Sequence, residues 1–456
     1  GAIDATRERD VGNVEVAFDS ELLVIDRADG VDGPDGDLTL LGQRPDGVPR
    51  DGVFELPPIA ALLCLAWIVP GLIVHDPWKS DEAYTFGVVY DILKGGSWLV
   101  PTLAGDPFLE EPPLYYLTAA ATAWLASPVL ALHDGARLAT GLYMALALLF
   151  CGMASRELHG KGNGALAALL MMGCLGLVLR GHEMITDIAP FAAFAVAYYA
   201  LALALRRPIA GGVLLGVALG AVFLSQGVLE TLILMMIALA MPAVSRDWRR
   251  NAYARTLGVA LLIAAPLIVA WPLALHARSP ELFGTWLRLD WHALLEAHQR
   301  DPSYYVRILV WHAWPVWLLG LWTLWQLRPA PKAQAGAYAA PGLALPLTGA
   351  LITLIALSWA SGARDLYALP LLPALRVVRR HGNQLRRPRL AHNGAAAVAI
   401  AAAVIVLVRR LRRGTGGVSQ AVLHRLPRRG DSLGRVEPCE LGFGLVRFEI
   451  VFAMGD

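Results

Sequence analysis

The 456-residue chain is 56% hydrophobic and 17% charged, with a mean hydropathy of +0.51, which excludes a soluble protein built round one core. A formal net charge of +2 gives no basis for a nucleic-acid partner, and four cysteines are too few for a disulfide scaffold. What remains is an all-α polytopic membrane protein of about 10–12 transmembrane helices. Residues 1–55 carry Asp4, Glu8, Asp10, Asp26, Asp29, Asp32, Asp35 and Asp37 among many glycines, the composition of an acidic, mostly disordered extension. They lack the basic start and apolar core of the usual signal peptide.

Ile59 to Val74 reads as the first span, and the stretch Trp78 to Leu117 follows it as a loop rich in chemistry. Ser80 is a good N-cap, and Asp81-Glu82 fall in a first helical turn, where the helix dipole favours negative charge. Ala83, Phe86, Tyr90 and Leu93 recur at helical spacing and predict one apolar face, Gly95-Gly96 ends the helix, and Trp98 suits a membrane interface. The segment Pro113 to Leu132 is apolar, but counting it as a span puts later basic loops on alternating sides. A helix that re-enters or lies along the surface resolves that conflict.

Spans at about 137–154, 164–180, 188–205, 209–224, 226–244, 256–275, 305–327, 343–359 and 366–378 place Arg156/Lys161, Arg206-Arg207, Arg246/Arg249-Arg250, Arg328/Lys332 and Arg379-Arg380 on one face. That face is cytoplasmic by the positive-inside rule. The opposite face receives the Asp81 loop, Arg180 to Asp187, Ser225-Gln226-Gly227, the long loop His276 to Tyr304, and Ser361 to Tyr367. Residues 56–380 thus form the transmembrane domain. The Arg/Ala-rich region 381–456 breaks the charge rule, because the apolar run Ala395 to Val408 leads into Arg409-Arg410 on the outer side. An extra cytoplasmic hairpin and an altered reading frame both account for it, and no function attaches to it.

Cys64, Cys151 and Cys174 read as buried thiols, Cys439 lies in the tail, and the histidines His276, His292, His298 and His312 lack zinc-type spacing. No metal site is therefore assigned. Trp271, Trp286, Trp291, Trp311, Trp314 and Trp317 read as an aromatic belt.

An Asp-Glu pair opening a helix just after the first span, then Gly-Gly-Ser-Trp-Leu-Val-Pro, Gly105-Asp106-Pro107-Phe108 and Glu110 before Pro112-Pro113-Leu114-Tyr115, resembles the first outer loop of the bacterial aminoarabinose transferase and protein O-mannosyltransferase family. Weaker similarity continues through Thr186-Asp187, Phe223 to Gly227, Tyr304-Tyr305 and Arg364 to Pro370. The resemblance implies a GT-C-type helix bundle with juxtamembrane helices in the first outer loop. It implies transfer of a sugar from a polyprenyl (undecaprenyl) phosphate donor to lipid A, a glycan or a protein, at the periplasmic face of a bacterial inner membrane.

Such a reaction needs a carboxylate to accept the incoming proton and cationic or hydrogen-bonding groups to stabilise the departing lipid phosphate. The resemblance implies Asp81 as base or acceptor-orienting group, with Glu82 beside it, although both acids also serve a helix N-terminus. Glu110 is either catalytic or a solvated loop charge, and Asp187 either a site residue or a helix cap. Arg364, Tyr367, Arg180, His182 and Gln226 are the candidate lipid-phosphate ligands; Arg364 can instead pair with Asp365, and Tyr367 can anchor at the interface. A divalent cation near Asp81 and Glu82 is the one cofactor considered. Glu111 and Gln226 stand where the family carries lysine, which opens the reading of a weakly active or inactive member. A transporter or flippase of a lipid-linked substrate is the rival, but it calls for ionisable residues at span centres, and here they collect at span ends.

Overall fold

The computed structural model describes residues 16–18, 21–23, 58–73, 75–77, 79–160, 163–295, 308, 310–326 and 341–359. The chain divides into two units, Gly1–Glu55 and Leu56–Asp456. In the first, Val16–Phe18 and Glu21–Leu23 form an antiparallel hairpin (β1 and β2) with Val16 opposite Leu23, where the composition had suggested no element. The segments 360–380 and 381–456 lie outside the described residues, as do Arg364 and Tyr367.

The second unit is helical. It begins with α1 (Pro58–Ile68), α2 (Ser80–Leu93), the short hairpin β3 (Thr102–Leu103) and β4 (Asp106–Pro107), α3 (Leu114–Ala126) and α4 (Leu132–His159). Then come α5 (Asn163–Met172), α6 (Leu175–Arg180), α7 (Ile188–Leu203), α8 (Pro208–Gln226), α9 (Val228–Val244), α10 (Asn251–Arg278), α11 (Pro280–Leu295), α12 (Val316–Gln326) and α13 (Pro341–Trp359). The helices α4, α8 and α10, with residues Pro341–Ser358 of α13, are long and apolar enough to cross a membrane, and four shorter apolar helices accompany them.

Helix α7 is apolar all round and is the centre of the bundle, its side chains buried on almost every side. Phe194, Tyr198 and Leu201 pack with α8, α9 and α13, whereas Phe191, Ala192 and Ala195 pack with α1, α4 and α5. Gly212, Gly216 and Gly220 recur every fourth residue along α8, and a Cβ on any of them would run into Val259, Ile263 or Leu267 of α10. Small residues at that spacing let two helix backbones approach closely, as membrane interfaces require. Leu261 and Leu262 of α10, Leu62 and Leu65 of α1 and Leu351 of α13 face outward, as suits contact with lipid.

Four expectations are corrected. The span over 164–180 breaks into α5 and α6 at Gly173-Cys174, where the two residues turn the chain. The loop from His276 to Tyr304 is occupied through residue 295 by the continuation of α10 and by α11. The buried face of α2 is Glu82, Thr85, Val88, Val89 and Ile92, while Ala83 and Tyr90 are exposed. Stiff β-branched residues pack against Tyr116, Ala119 and Ala123 of α3, each burial stabilising by roughly 1.5–3 kcal/mol. Finally, Trp271 and Trp286 are buried against each other at 5.1 Å, so the aromatic belt is confined to exposed residues such as Trp291 and Trp311.

Candidate active site

Contacts between loops sort them onto two ends of the bundle. At one end Arg206 pairs with Glu157, and Trp248 donates to the carbonyl of Leu201 at 3.1 Å. At the other end the first loop meets the segment 181–187 and the α8–α9 turn, which is the grouping that charge patterning predicted for the outer face.

The first loop is held by its own turns. Ser80 is the first residue of α2 rather than its cap; Lys79, in extended backbone, occupies the cap position. Gly96 packs so closely on the Asp91 carboxylate that any Cβ would collide with it, and that carboxylate accepts the hydroxyl of Thr102. Ala104 and Gly105 at positive φ close the β3–β4 hairpin and return the chain to Glu110. The indole Nε1 of Trp271 donates to Leu99 O at 3.0 Å, fastening the loop to α10.

Glu82 is fully buried. Its Oε1 accepts from Arg137 Nε of α4 at 3.1 Å and from the backbone N–H of Met184 at 3.0 Å. Arg137 Nη1 also donates to His75 O at 2.5 Å and to Asp134 Oδ1 at 3.3 Å. Glu82 is therefore a fastener and not an open carboxylate. Both donors sit on Oε1, and no group of three His, Cys, Asp or Glu able to hold a metal occurs among the described residues. Asp81, by contrast, is half-buried and makes no hydrogen bond or ion pair among the described residues.

The second loop carries a charge cluster of its own. Glu183 receives Lys79 on one oxygen and Arg180 Nη1, at 2.9 Å, on the other, so two cations share one carboxylate. His182 is turned away from this group: its Nε2 lies 2.8 Å from Trp67 O and its ring rests on Trp67 and over Gly71. Asp187 precedes α7 and is 5% exposed; the Gln226 amide donates to its Oδ1 at 3.4 Å.

A second acidic group adjoins the first. The hydroxyl of buried Tyr116 donates to Glu111 Oε2 at 3.1 Å and lies within electrostatic reach of Glu110 and Asp187. Glu230, in the first turn of α9, is 4% exposed and feels both Asp187 and Glu111. Gly227, at φ +79°, turns the chain from α8 into α9 so tightly that a Cβ would strike Asp290 Oδ1, and Asp290 Oδ2 accepts the N–H of Val228 at 3.2 Å. Burial pushes the Asp290 carboxyl up to about 6. Beside this turn, α8, α10 and α11 enclose an open apolar cleft of about 330 Å³ lined by Phe223, Ile268, Val269, Pro272, Leu273, His276 and Phe283.

The described residues thus bring Asp81, Arg180, Asp187 and Gln226 to one end, with Glu110 at the exposed rim. Lys79, Arg137, Glu183, Glu230 and Asp290 are additions that sequence reasoning missed. Arg137 and Glu230 carried a usable signal, because an ionisable residue inside an apolar helix is expensive and so points to a partner or a site. Lys79, Glu183 and Asp290 lie in loops or on a surface helix, where one charge more carries no such signal.

No protein-family model matches the chain. It is 29% identical over 263 residues to the undecaprenyl phosphate-α-4-amino-4-deoxy-L-arabinose arabinosyl transferase of Pseudomonas aeruginosa strain UCBPP-PA14, covering 54% of the chain and 46% of that protein. The protein of the same name from Pseudomonas savastanoi pv. phaseolicola is 26% identical over 361 residues, which cover 76% of the chain and 64% of the relative. The crystal structure of ArnT from Cupriavidus metallidurans bound to undecaprenyl phosphate superposes with a TM-score of 0.62 at 19% identity, over 76% of this chain and 63% of that one.

The chain has a GT-C-type membrane-protein fold. It spans about half the length of the first curated relatives it matches, at 46% and 41%.

Proposed function

We propose that this GT-C protein is a glycosyltransferase that moves a sugar from a polyprenyl (undecaprenyl) phosphate carrier to an envelope acceptor, lipid A, a glycan or a protein, at the periplasmic face of the bacterial inner membrane. One observation carries the reading: loops about a hundred residues apart in sequence are pinned together through Glu82, Lys79 and Glu183, which brings the uncommitted Asp81 carboxylate to the same end of the bundle as the Lys79–Glu183–Arg180 cluster. An apolar cleft opens beside the neighbouring α8–α9 turn and suits a prenyl chain.

The acceptor hydroxyl oxygen attacks the anomeric carbon while Asp81 takes its proton, and the bond from that carbon to the phosphate oxygen breaks with inversion. The electron pair leaves with the lipid phosphate, whose developing charge is met by Arg180 and Lys79, with Gln226 as a neutral donor. Glu110 and Asp187 orient acceptor and sugar hydroxyls. Arg364 and Tyr367 are further candidates for the lipid phosphate.

The test is sugar transfer from radiolabelled undecaprenyl-phosphate sugars in membranes carrying the native chain, Asp81→Asn or Arg180→Ala. Transfer by the native chain is expected to be lost in Asp81→Asn, while Arg180→Ala raises the donor KM roughly 10-fold or more, the scale of one charge-assisted hydrogen bond. Transfer that Asp81→Asn leaves intact would reject the assignment.

A further inference from the structure

Glu82 sits beside the proposed base but touches three other segments. Its Oε1 gathers a guanidinium from α4 and a backbone N–H from the loop that leads to Asp187. The same guanidinium reaches back to the carbonyl of His75, on the strand of chain entering α2. One turn further along α4, the Thr140 hydroxyl donates to Glu183 O at 3.1 Å and bonds the Tyr115 hydroxyl of α3 at 2.6 Å. The outer end of α4 is thus a platform on which α2, α3 and the 183–187 loop are set by three polar side chains, all fully buried.

We propose that Glu82 and Arg137 are positioning residues that fix the separation of Asp81 and Asp187, and so govern the rate of transfer and not the binding of donor. The inference rests on the transferase reading. Asp81 is the immediate neighbour of Glu82, and Asp187 lies three residues after Met184, so a shift in the shared Oε1 moves the two acids relative to each other.

Two features separate this from a pair kept for stability. Glu82 Oε2 and Arg137 Nη2 are both buried without a hydrogen-bond partner among the described residues, so the pair is incompletely satisfied. A buried ion pair is also a weak stabiliser, replaceable by apolar residues of similar volume without loss of stability. What apolar residues cannot replace is the directional link to Met184 N and His75 O.

The experiment compares the full-length native chain with the double variant Glu82→Leu/Arg137→Met and with Arg137→Lys, which keeps the charge but loses the forked donor geometry. For each, kcat per folded molecule, donor KM and melting temperature are measured. The double variant is expected to fold and to melt above Arg137→Ala, with donor KM within about twofold and kcat reduced about 10²-fold, the scale of a misplacement near 1 Å. Arg137→Lys is expected to lower kcat in the same sense. Unchanged kcat in the folded double variant overturns the proposal.

A second readout needs no activity. Spin labels at the exposed positions Tyr84 on α2 and Leu179 on α6, in a background without the native cysteines, report the distance between the two loops. Its distribution is expected to broaden in the double variant, and an unchanged distribution overturns the positioning role. A native chain without transfer would sink the transferase reading, and the spin-label distances would still decide the positioning.

Discussion

Arg137 Nε stands 3.1 Å from Glu82 Oε1, and neither side chain has any exposure to solvent. Removing one partner leaves the other charge buried without its counter-ion. Arg137→Ala is therefore expected to destabilise the fold by about 3–5 kcal/mol, unlike the double apolar replacement. Thermal unfolding in detergent checks this, and a native melting temperature for the single variant would contradict it.

Asp81→Asn is expected to reduce transfer by about 10²–10⁴-fold, the range for loss of a general base. Its half-buried carboxylate makes no hydrogen bond or ion pair among the described residues, so melting and expression should match the native chain. A parallel loss of stability would move Asp81 from the chemistry to the scaffold.

Glu111→Lys puts a cation within reach of Asp187 and Glu230, where three acids and the Tyr116 hydroxyl now crowd. A lysine there relieves like-charge repulsion and offers a counter-charge to the donor phosphate. Donor KM is expected to fall by about tenfold, equivalent to roughly 1.4 kcal/mol. A rise in KM would show that the phosphate binds away from position 111.

Asp290 predicts a pH dependence at the α9–α11 junction. Its carboxyl is raised from 3.8 to about 6 by burial, so between those values the folded chain holds the proton more tightly than the unfolded chain. Docking of α11 is then strongest at low pH and weakens as pH rises through about 6. Trp286, packed on Trp271 and Phe223, reports it as the fluorescence difference between the native chain and Trp286→Phe. Asp290→Asn should flatten the profile while still accepting Val228 N–H, and a profile unaltered by that change would assign the transition elsewhere.

Much of this was legible in the chain. The start of α2 to within one residue, its end, and the grouping of first loop, 181–187 segment and α8–α9 turn followed from caps, glycines and basic loops. The buried face of α2 was not. The apolar face of Ala83, Phe86, Tyr90 and Leu93 did not say which side of α2 turns inward, whereas the packing surface of α3 selected Val88, Val89 and Ile92 and drew Glu82 inward with them. The break at Gly173 was also hidden, since one glycine in an apolar run is compatible with an unbroken span.

The sequence by itself determined the class of protein, its apolar helices and the helix-bearing first loop, because hydropathy, charge bias and turn residues act over a few neighbouring residues. Only the tertiary structure decided which acid of the pair stays available. Adjacent residues on a helix point about 100° apart, so Asp81 and Glu82, alike in sequence, separate into an uncommitted carboxylate and a buried tie. That choice depends on Arg137, 55 positions along the chain, and on an N–H of Met184, 102 positions along, and no local pattern records either.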